Sequence, residues 1–241
     1  VIPLSLSGGA ATSVYNNGPP PAHGAVTISG TTVTYTPTSG YSGSDSFRYV
    51  ASNAGGSSSA TVSITVLPQI PLANPTSATV IKNTGFNPIT LSLTGGTATS
   101  VAVSTGPANG IASASGTSIS YEPNAGYVGS DSFAYTAANA GGTSAPATVS
   151  ITVVIPAPIA GAVTATVTRN TSNNPIALNL SGGAATSVAV VTTPRHGTAT
   201  ASGTGITYTP TTGFTGTDNF TYDATNSTGT SSSAMVTITV Q

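Results

Sequence analysis

Three tyrosines frame this chain. Tyr35, Tyr121 and Tyr208 sit in tetrads of one type, Thr34-Tyr35-Thr36-Pro37, Ser120-Tyr121-Glu122-Pro123 and Thr207-Tyr208-Thr209-Pro210, spaced about 87 residues apart. Each tetrad is followed by Gly-(Tyr/Phe)-x-Gly-x-Asp-x-Phe-x-Tyr. The framework residues are Gly40, Gly43, Asp45, Phe47 and Tyr49 in the first copy, Gly126, Gly129, Asp131, Phe133 and Tyr135 in the second, and Gly213, Gly216, Asp218, Phe220 and Tyr222 in the third. Each tetrad is preceded by a glycine pair, Gly8-Gly9, Gly95-Gly96 or Gly182-Gly183. Solenoid repeats recur every 20 to 50 residues or so and need their neighbours to close a core. A period near 87 is the size of a small domain with a core of its own, so the chain is expected to be three domains in tandem.

Within a copy the hydrophobic period is two. Val62, Ile64 and Val66 alternate with Thr61, Ser63 and Thr65, and the same pattern recurs at Val149, Ile151 and Val153 and at Val236, Ile238 and Val240. Alternating β-branched residues mark strands with one buried face. In the second copy such segments fall near residues 78–81, 89–93, 100–104, 111–115, 118–121, 132–137 and 147–154, most of them separated by Gly, Pro or Asn. No segment shows a helical period. About seven short strands in under about 100 residues is the pattern of an immunoglobulin-like sandwich. The fold class expected is therefore all-β, with tandem immunoglobulin-like β-sandwiches arranged as an extended rod.

The expected domains are residues 1–67, 72–154 and 159–241, joined by Pro-containing linkers at 68–71 and 155–158. Spaced prolines favour extended backbone, and three sandwiches end to end would make a rod on the order of 100 Å. Aligned on the glycine pair, Val1-Ile2-Pro3-Leu4 matches Pro88-Ile89-Thr90-Leu91 and Pro175-Ile176-Ala177-Leu178. Residues 73–87 thus have no counterpart in the first copy, which is expected to lack its first strand, to expose an edge open to self-association, and to be completed by upstream residues of a longer array or by a neighbouring molecule.

Composition removes whole classes of function. Lys and Arg number 4 and Asp and Glu 5, so charged residues make up 4% of the chain, against about 25% in an ordinary domain. Four scattered bases cannot displace the counterions of a nucleic acid. The uncharged stretch from Ser132 to Thr168 is broken by Pro146, Pro156 and Pro158, so it is not the unbroken apolar run of about 20 residues that inserts into a membrane. There is no Cys, hence no disulfide, thiol nucleophile or Cys-bound zinc. No paired-carboxylate motif, Gly-x-Ser-x-Gly or phosphate loop is present, and no enzyme activity is expected. With so few titratable groups, stability should be nearly flat in pH unless the three recurring Asp residues are coupled to the fold.

The run Tyr-x-Pro-x-x-Gly-Tyr-x-Gly-x-Asp-Ser-Phe-x-Tyr, then Asn-Ala-Gly-Gly, then a Ser/Thr–Val/Ile strand, resembles the tandem Ig-like or cadherin-like repeats of large bacterial surface adhesins and autotransporter passengers. The resemblance spans essentially the whole chain. It implies an extracellular, cell-surface stalk or spacer whose partners are neighbouring repeats of one longer chain. The alternatives are a glycan- or protein-binding module and an accessory domain of a secreted polysaccharide-active enzyme. Aromatic residues recur in register in all three copies and there is no Trp, which favours the spacer.

The resemblance also implies that some such repeats hold Ca²⁺ between domains. Calcium needs six to eight or so oxygens, usually with several carboxylates, and both linkers lack acids. No cofactor is expected, and Asp45, Asp131 and Asp218 are the only recurring calcium candidates. Their other reading is turn residues whose carboxylates accept backbone N–H bonds. Phe47/Tyr49, Phe133/Tyr135 and Phe220/Tyr222 lie two apart and face one side, as core residues, with the tyrosines placed like the tyrosine corner of immunoglobulin folds. Tyr41, Tyr127 and Phe214 are candidates for carbohydrate stacking or for covering a sandwich end. His23 and His196 align with Asn109, each before a Gly, and a shared tolerance of strained turn backbone would explain the exchange.

Overall fold

The alternation of Thr/Ser with Val/Ile becomes strand throughout. The computed structural model describes residues 1–241 and contains strands and turns but no helix. In the second unit, Ser100–Thr105, Gly129–Asn139, Ala147–Val154 and Thr76–Ile81 form one sheet in that order, with Gly142–Thr143 paired to Gly129–Asn139. Gly110–Ser115, Ser118–Pro123 and Asn87–Ile89 form a second sheet, and Pro71–Asn74 pairs with Ser92–Gly95. All pairings are antiparallel except Thr76–Ile81, which runs parallel to Ala147–Val154 with Thr76 beside Val149 and Val80 beside Val153. The opening stretch of the unit therefore serves two ladders in succession. Pro75, which has no N–H to give a ladder, stands at the switch.

The third unit repeats this plan strand for strand, from Pro158–Gly161 on Asn179–Gly182 to Val163–Val167 parallel to Ala234–Val240. The cores follow the period-two pattern. Val149, Ile151 and Val153 are at most 1% exposed, and Phe133, Tyr135 and Tyr121 meet them from both sheets. Their outward neighbours Thr148, Ser150 and Thr152 are exposed. The outward face of this strand is thus made of hydroxyl groups and not of charges.

Six of the seven segments expected in the second unit lie in single strands. Two more, Pro71–Asn74 and Gly142–Thr143, were not expected, and residues 89–93 divide between Asn87–Ile89 and Ser92–Gly95, which belong to different sheets. Pro71 and Pro158, assigned to the linkers from sequence, already lie in strands.

The first unit departs from the plan. It has a three-stranded sheet, Ser13–Asn16, Gly43–Asn53 and Gly56–Val66, and a hairpin of Gly24–Ser29 with Thr32–Pro37, bridged to Ile2 through Val33. Nothing pairs with the outer edge of Gly56–Val66 or with residues 5–8. As a result Val62, Ile64 and Val66, equivalents of Val149, Ile151 and Val153, are only half-buried. The first unit's core cluster has four buried residues, against 13 and 12 in the others. Its last hairpin is also plainer. Gly43–Asn53 and Gly56–Val66 pair without a break, whereas the second unit inserts Ser144, whose Oγ accepts the Ala137 N–H at 3.0 Å, before the ladder resumes at Ala147.

Candidate functional site

The recurring Asp is the centre of a hydrogen-bond cage. In the second unit Asp131 Oδ1 accepts the N–H groups of Ala108 (3.0 Å) and Ser132 (2.8 Å), and Oδ2 accepts the Asn109 N–H (2.9 Å) and the Tyr121 hydroxyl (2.7 Å). Asp45 receives Ala22, Ser46, His23 and Tyr35 in the same way, and Asp218 receives Arg195, Asn219, His196 and Tyr208. The Asp lies inside the long strand that begins at Gly43, Gly129 or Gly216, pointing inward with the Phe and Tyr that follow it. Two of its donors come from a loop 22 and 23 residues upstream, so the cage ties that loop to the strands of Tyr121 and Asp131 and is more than a local turn.

Position requires a glycine there. A β-carbon on Gly110 would lie 2.5 Å from the Tyr121 ring and hydroxyl, and Gly24 and Gly197 face Tyr35 and Tyr208 similarly. The Tyr ring packs directly against this glycine, and only a residue without a side chain leaves room for it.

Burial by itself would raise the Asp carboxyls, but hydrogen bonds from the tyrosine hydroxyl and three backbone N–H groups outweigh it, and all three sit below the ordinary carboxylate range. Burial, then the hydrogen bond to Asp45 and its charge, push the Tyr35 hydroxyl up to about 12, and the same causes push Tyr121 and Tyr208 higher still. A carboxylate offers about four lone-pair sites. All are occupied here by protein donors, so a cation at this Asp would have to displace N–H groups from it. No cluster of three His, Asp or Glu side chains occurs elsewhere, and no buried side-chain polar atom lacks a partner.

The paired aromatics behave differently from one another. Phe47, Phe133 and Phe220 are core residues at 3% exposure or less. The tyrosine two positions on sends its hydroxyl to the unit's first strands. Tyr135 donates toward the carbonyls of Asn74 (2.9 Å) and Ser92 (3.0 Å), and Tyr222 toward those of Gly161 (2.8 Å) and Asn179 (3.1 Å). In the tyrosine corner the bond returns a few residues upstream. Here it spans 43 and 61 residues and ties the entry strands to the core.

The shared turn strain expected of His23, Asn109 and His196 is absent, since none has positive φ. Their common duty is carried by the backbone: each N–H donates to the caged carboxylate. The side chain is left free, which is why His and Asn exchange. His23 stacks on Tyr41 with centroids 4.0 Å apart, and His196 on Phe214 at 4.3 Å. Tyr41 and Tyr127 give their hydroxyls to the Ser44 and Ser130 carbonyls. These half-buried rings cover a turn.

A second recurring constellation, which the motif reading overlooked, holds the chain where it enters a unit. Asn139 Nδ2 donates to the carbonyls of Gln69 (2.7 Å) and Thr97 (3.1 Å) while its Oδ1 accepts the Gly141 N–H. Asn226 does the same with Pro156, Ala184 and Thr228, and Thr228 Oγ1 adds a bond to the Ile155 carbonyl at 2.7 Å. The second glycine of each pair makes room: a β-carbon on Gly96 would lie 1.7 Å from the Gln69 carbonyl oxygen, and one on Gly183 1.8 Å from that of Pro156. The repeat of Asn53, Asn139 and Asn226 at one fixed place beyond the Asp motif was the available signal.

The profile of the bacterial Ig domain family matches the sequence three times, over residues 3–65, 68–152 and 156–239. No curated protein matches the chain. Among solved structures, the chain is similar to Drosophila N-cadherin EC1-4 at 12% identity, covering 99% of this chain and 69% of that one with a TM-score of 0.35. An I-band fragment of titin gives 16% identity, 91% and 83% coverage and a TM-score of 0.37. An endo-fucoidan hydrolase from glycoside hydrolase family 107 gives 16% identity and a TM-score of 0.31 over 95% of this chain. The chain spans 39% of that hydrolase's length.

Proposed function

Given that this chain belongs to the bacterial Ig domain family, we propose that it is a spacer segment of an extracellular bacterial protein, an adhesin-like stalk that holds a distal region away from its anchor, with neighbouring repeats of the same chain as its partners. The observation that carries this reading is the junction between units. The last strand of the second unit ends at Val154, and the very next carbonyl, that of Ile155, already accepts a bond from Thr228 of the third unit, followed by Pro156 bonded to Asn226. At the earlier junction Val66 ends a strand, and the Gln69 carbonyl is held by Asn139. A link with two or fewer unheld residues, rich in proline, restricts bending, which is what a stalk requires and a free binding module does not.

The recurring polar groups support the same reading. The Asp–Tyr cages and the Asn clamps spend their donors and acceptors on the chain itself.

Small-angle scattering tests it. The intact chain is expected to be extended, and inserting a Gly-Ser segment between Val154 and Ile155 should shorten its largest mean dimension by uncoupling the units. A compact particle, or micromolar binding of the intact chain to a glycan panel, would replace the spacer with a binding module.

A further inference from the structure

The outer strands of the second unit differ in how they are kept from pairing with another chain. Ser100–Thr105 slips register against Gly129–Asn139 between Val103 and Thr105. Thr76–Ile81 lies between Pro75 and Lys82. Asn87–Ile89 is three residues long with Pro88 at its centre, and Pro71–Asn74 and Ser92–Gly95 are four residues each, the former bounded by Pro71 and Pro75. Proline, lysine, bulges and short length are the features that blunt a sheet edge. Gly110–Ser115 has none of them. It is outermost in its sheet, six residues long, and paired without a break to Ser118–Pro123. The backbone bond from Val101 toward this hairpin reaches Gly116, past the end of the strand. Asn109 accepts from Asn124, and bonded pairs alternate along an antiparallel ladder. Ile111, Ser113 and Ser115 therefore bond to Ser118–Pro123, and the backbone groups of Gly110, Ala112 and Ala114 point outward. The stretch from Thr105 to Thr117 carries no charge. The equivalent strands in the other units, Gly24–Ser29 and Gly197–Ser202, follow His23 and Arg195-His196.

We propose that Gly110–Ser115 is a self-association edge through which two copies of this chain join their second units, strand against strand and antiparallel. The edge is complementary to itself. Centred on Ala112, an antiparallel copy sets Gly110 against Ala114 and Ala112 against its own equivalent. Every outward N–H and C=O group then finds a partner, about six bonds in all. Ile111, 56% exposed, stands opposite Ser113 of the second copy, and no charge on the strand opposes another. Glu122, the charge beside Ile111, is one strand removed from the junction. A two-fold interface of this kind uses the same patch on both copies and closes. The joined sheet runs from one Asn87–Ile89 strand to the other, with Pro88 at both outer edges, so pairing stops at two. Such pairing ties two stalks side by side, a role beyond spacing.

The test is sedimentation equilibrium of the intact chain over a rising concentration series, with hydrogen exchange measured at both ends of the series. A monomer–dimer equilibrium is expected. Protection should be gained at the amides of Gly110, Ala112 and Ala114 and not at Ile111, Ser113 and Ser115, which Ser118–Pro123 already holds. Ser113 is exposed and its N–H stays in the ladder, so Ser113→Lys and Ser113→Glu should leave the second unit's melting transition in place. Each variant sets two like charges on diagonal neighbours of the paired strands and should raise the dimer dissociation constant by on the order of fivefold. Mixing the two variants should restore association, which a folding defect would not. A monomer at every concentration overturns the proposal. So does a dimer whose new protection lies elsewhere, one that both variants leave unchanged, one that grows into an open series of larger species, or a mixture that associates no better than either variant alone.

Discussion

Tyr208 donates its hydroxyl to Asp218 Oδ2 at 2.9 Å, and both groups are buried, the Tyr completely and the Asp to 3% exposure. The other three bonds to that carboxylate come from backbone N–H groups, two of them in the loop at Arg195 and His196, so the pair ties that loop to two strands. Such a carboxylate tolerates loss of one donor better than loss of its own charge. Tyr208→Phe removes one charge-assisted bond and should cost the third unit about 1–2 kcal/mol. Asp218→Asn leaves an amide facing donors on both sides and should cost about 2–3 kcal/mol. Calorimetry should order the two accordingly, with the third unit's transition falling about 4–8 °C per kcal/mol. Equal effects would mean that packing of the ring, and not the carboxylate, holds the loop.

The same cages set the pH response. Each Asp has a folded pKa lowered from the ordinary 3.8. A lowered folded pKa contributes stability that is present above the unfolded value and is lost as pH falls through the folded one. Each caged tyrosine is raised from 10.0, Tyr35 to about 12, so its contribution is full below the unfolded value and is lost as pH rises through the folded one. Urea midpoints should therefore stay level between about pH 5 and pH 9, fall together in all three units below about pH 4, and fall again above about pH 10. The near-flat profile expected from so few charges is confined to the middle range. Asp131→Asn and Asp218→Asn together should shrink the acid fall by removing two of the three carboxylates responsible.

Much of the fold was legible because its cause is local. Val149, Ile151 and Val153 announce a half-buried strand by alternation alone, and the repeat of Tyr121, Asp131 and Phe133 fixes the unit and its period. What could not be read was set by contacts distant in sequence. Nothing near Asp131 shows that its donors lie 22 and 23 residues away, and nothing near Asn139 shows that it reaches Gln69, 70 residues back. The prolines at 68 and 71 suggested an extended linker through residue 71 for the same reason: extended backbone looks alike in a linker and in the first residues of an edge strand, and only the partner Ser92–Gly95 places Pro71 in the strand.

Removing metal should do nothing. The Asp lone pairs are filled by protein donors, and the junctions are held by Asn amides and a Thr hydroxyl. Excess EDTA is expected to leave every melting transition and the scattering curve unchanged. A chelator-induced drop of several degrees that Ca²⁺ reverses would require backbone carbonyls to form a site that the cages do not.

Gly183→Ala tests whether the entry clamp holds the junction. Its β-carbon would meet the Pro156 carbonyl at 1.8 Å, and that carbonyl is also bonded by Asn226. Backbone cannot yield as a flexible side chain would, so the chain must lift off the third unit at a cost of about 1–3 kcal/mol. Hydrogen exchange should rise at Pro158–Gly161 and its partner Asn179–Gly182, with Asp218 and its cage unaffected. Gly8→Ala, a site with nothing within 4 Å but positive φ, should cost less and act only on the first unit.

The first unit should melt first. Val62, Ile64 and Val66 are half-buried where their counterparts in the other units are at most 2% exposed. Fully burying an aliphatic side chain is worth about 1.5–3 kcal/mol, so leaving three of them partly exposed forfeits about 1–2 kcal/mol. The lost tyrosine bonds at Tyr49 add to this. At about 4–8 °C per kcal/mol for a unit of this size, thermal unfolding should separate into an early transition for the first unit and later, overlapping ones for the second and third. Exchange at the amides of residues 62–66 should be fast relative to 149–153 and 236–240, since one edge of that strand faces water. Coincident melting of all three units would show that the shared junction at residues 67–69 couples the first unit to the second strongly enough to hide the deficit.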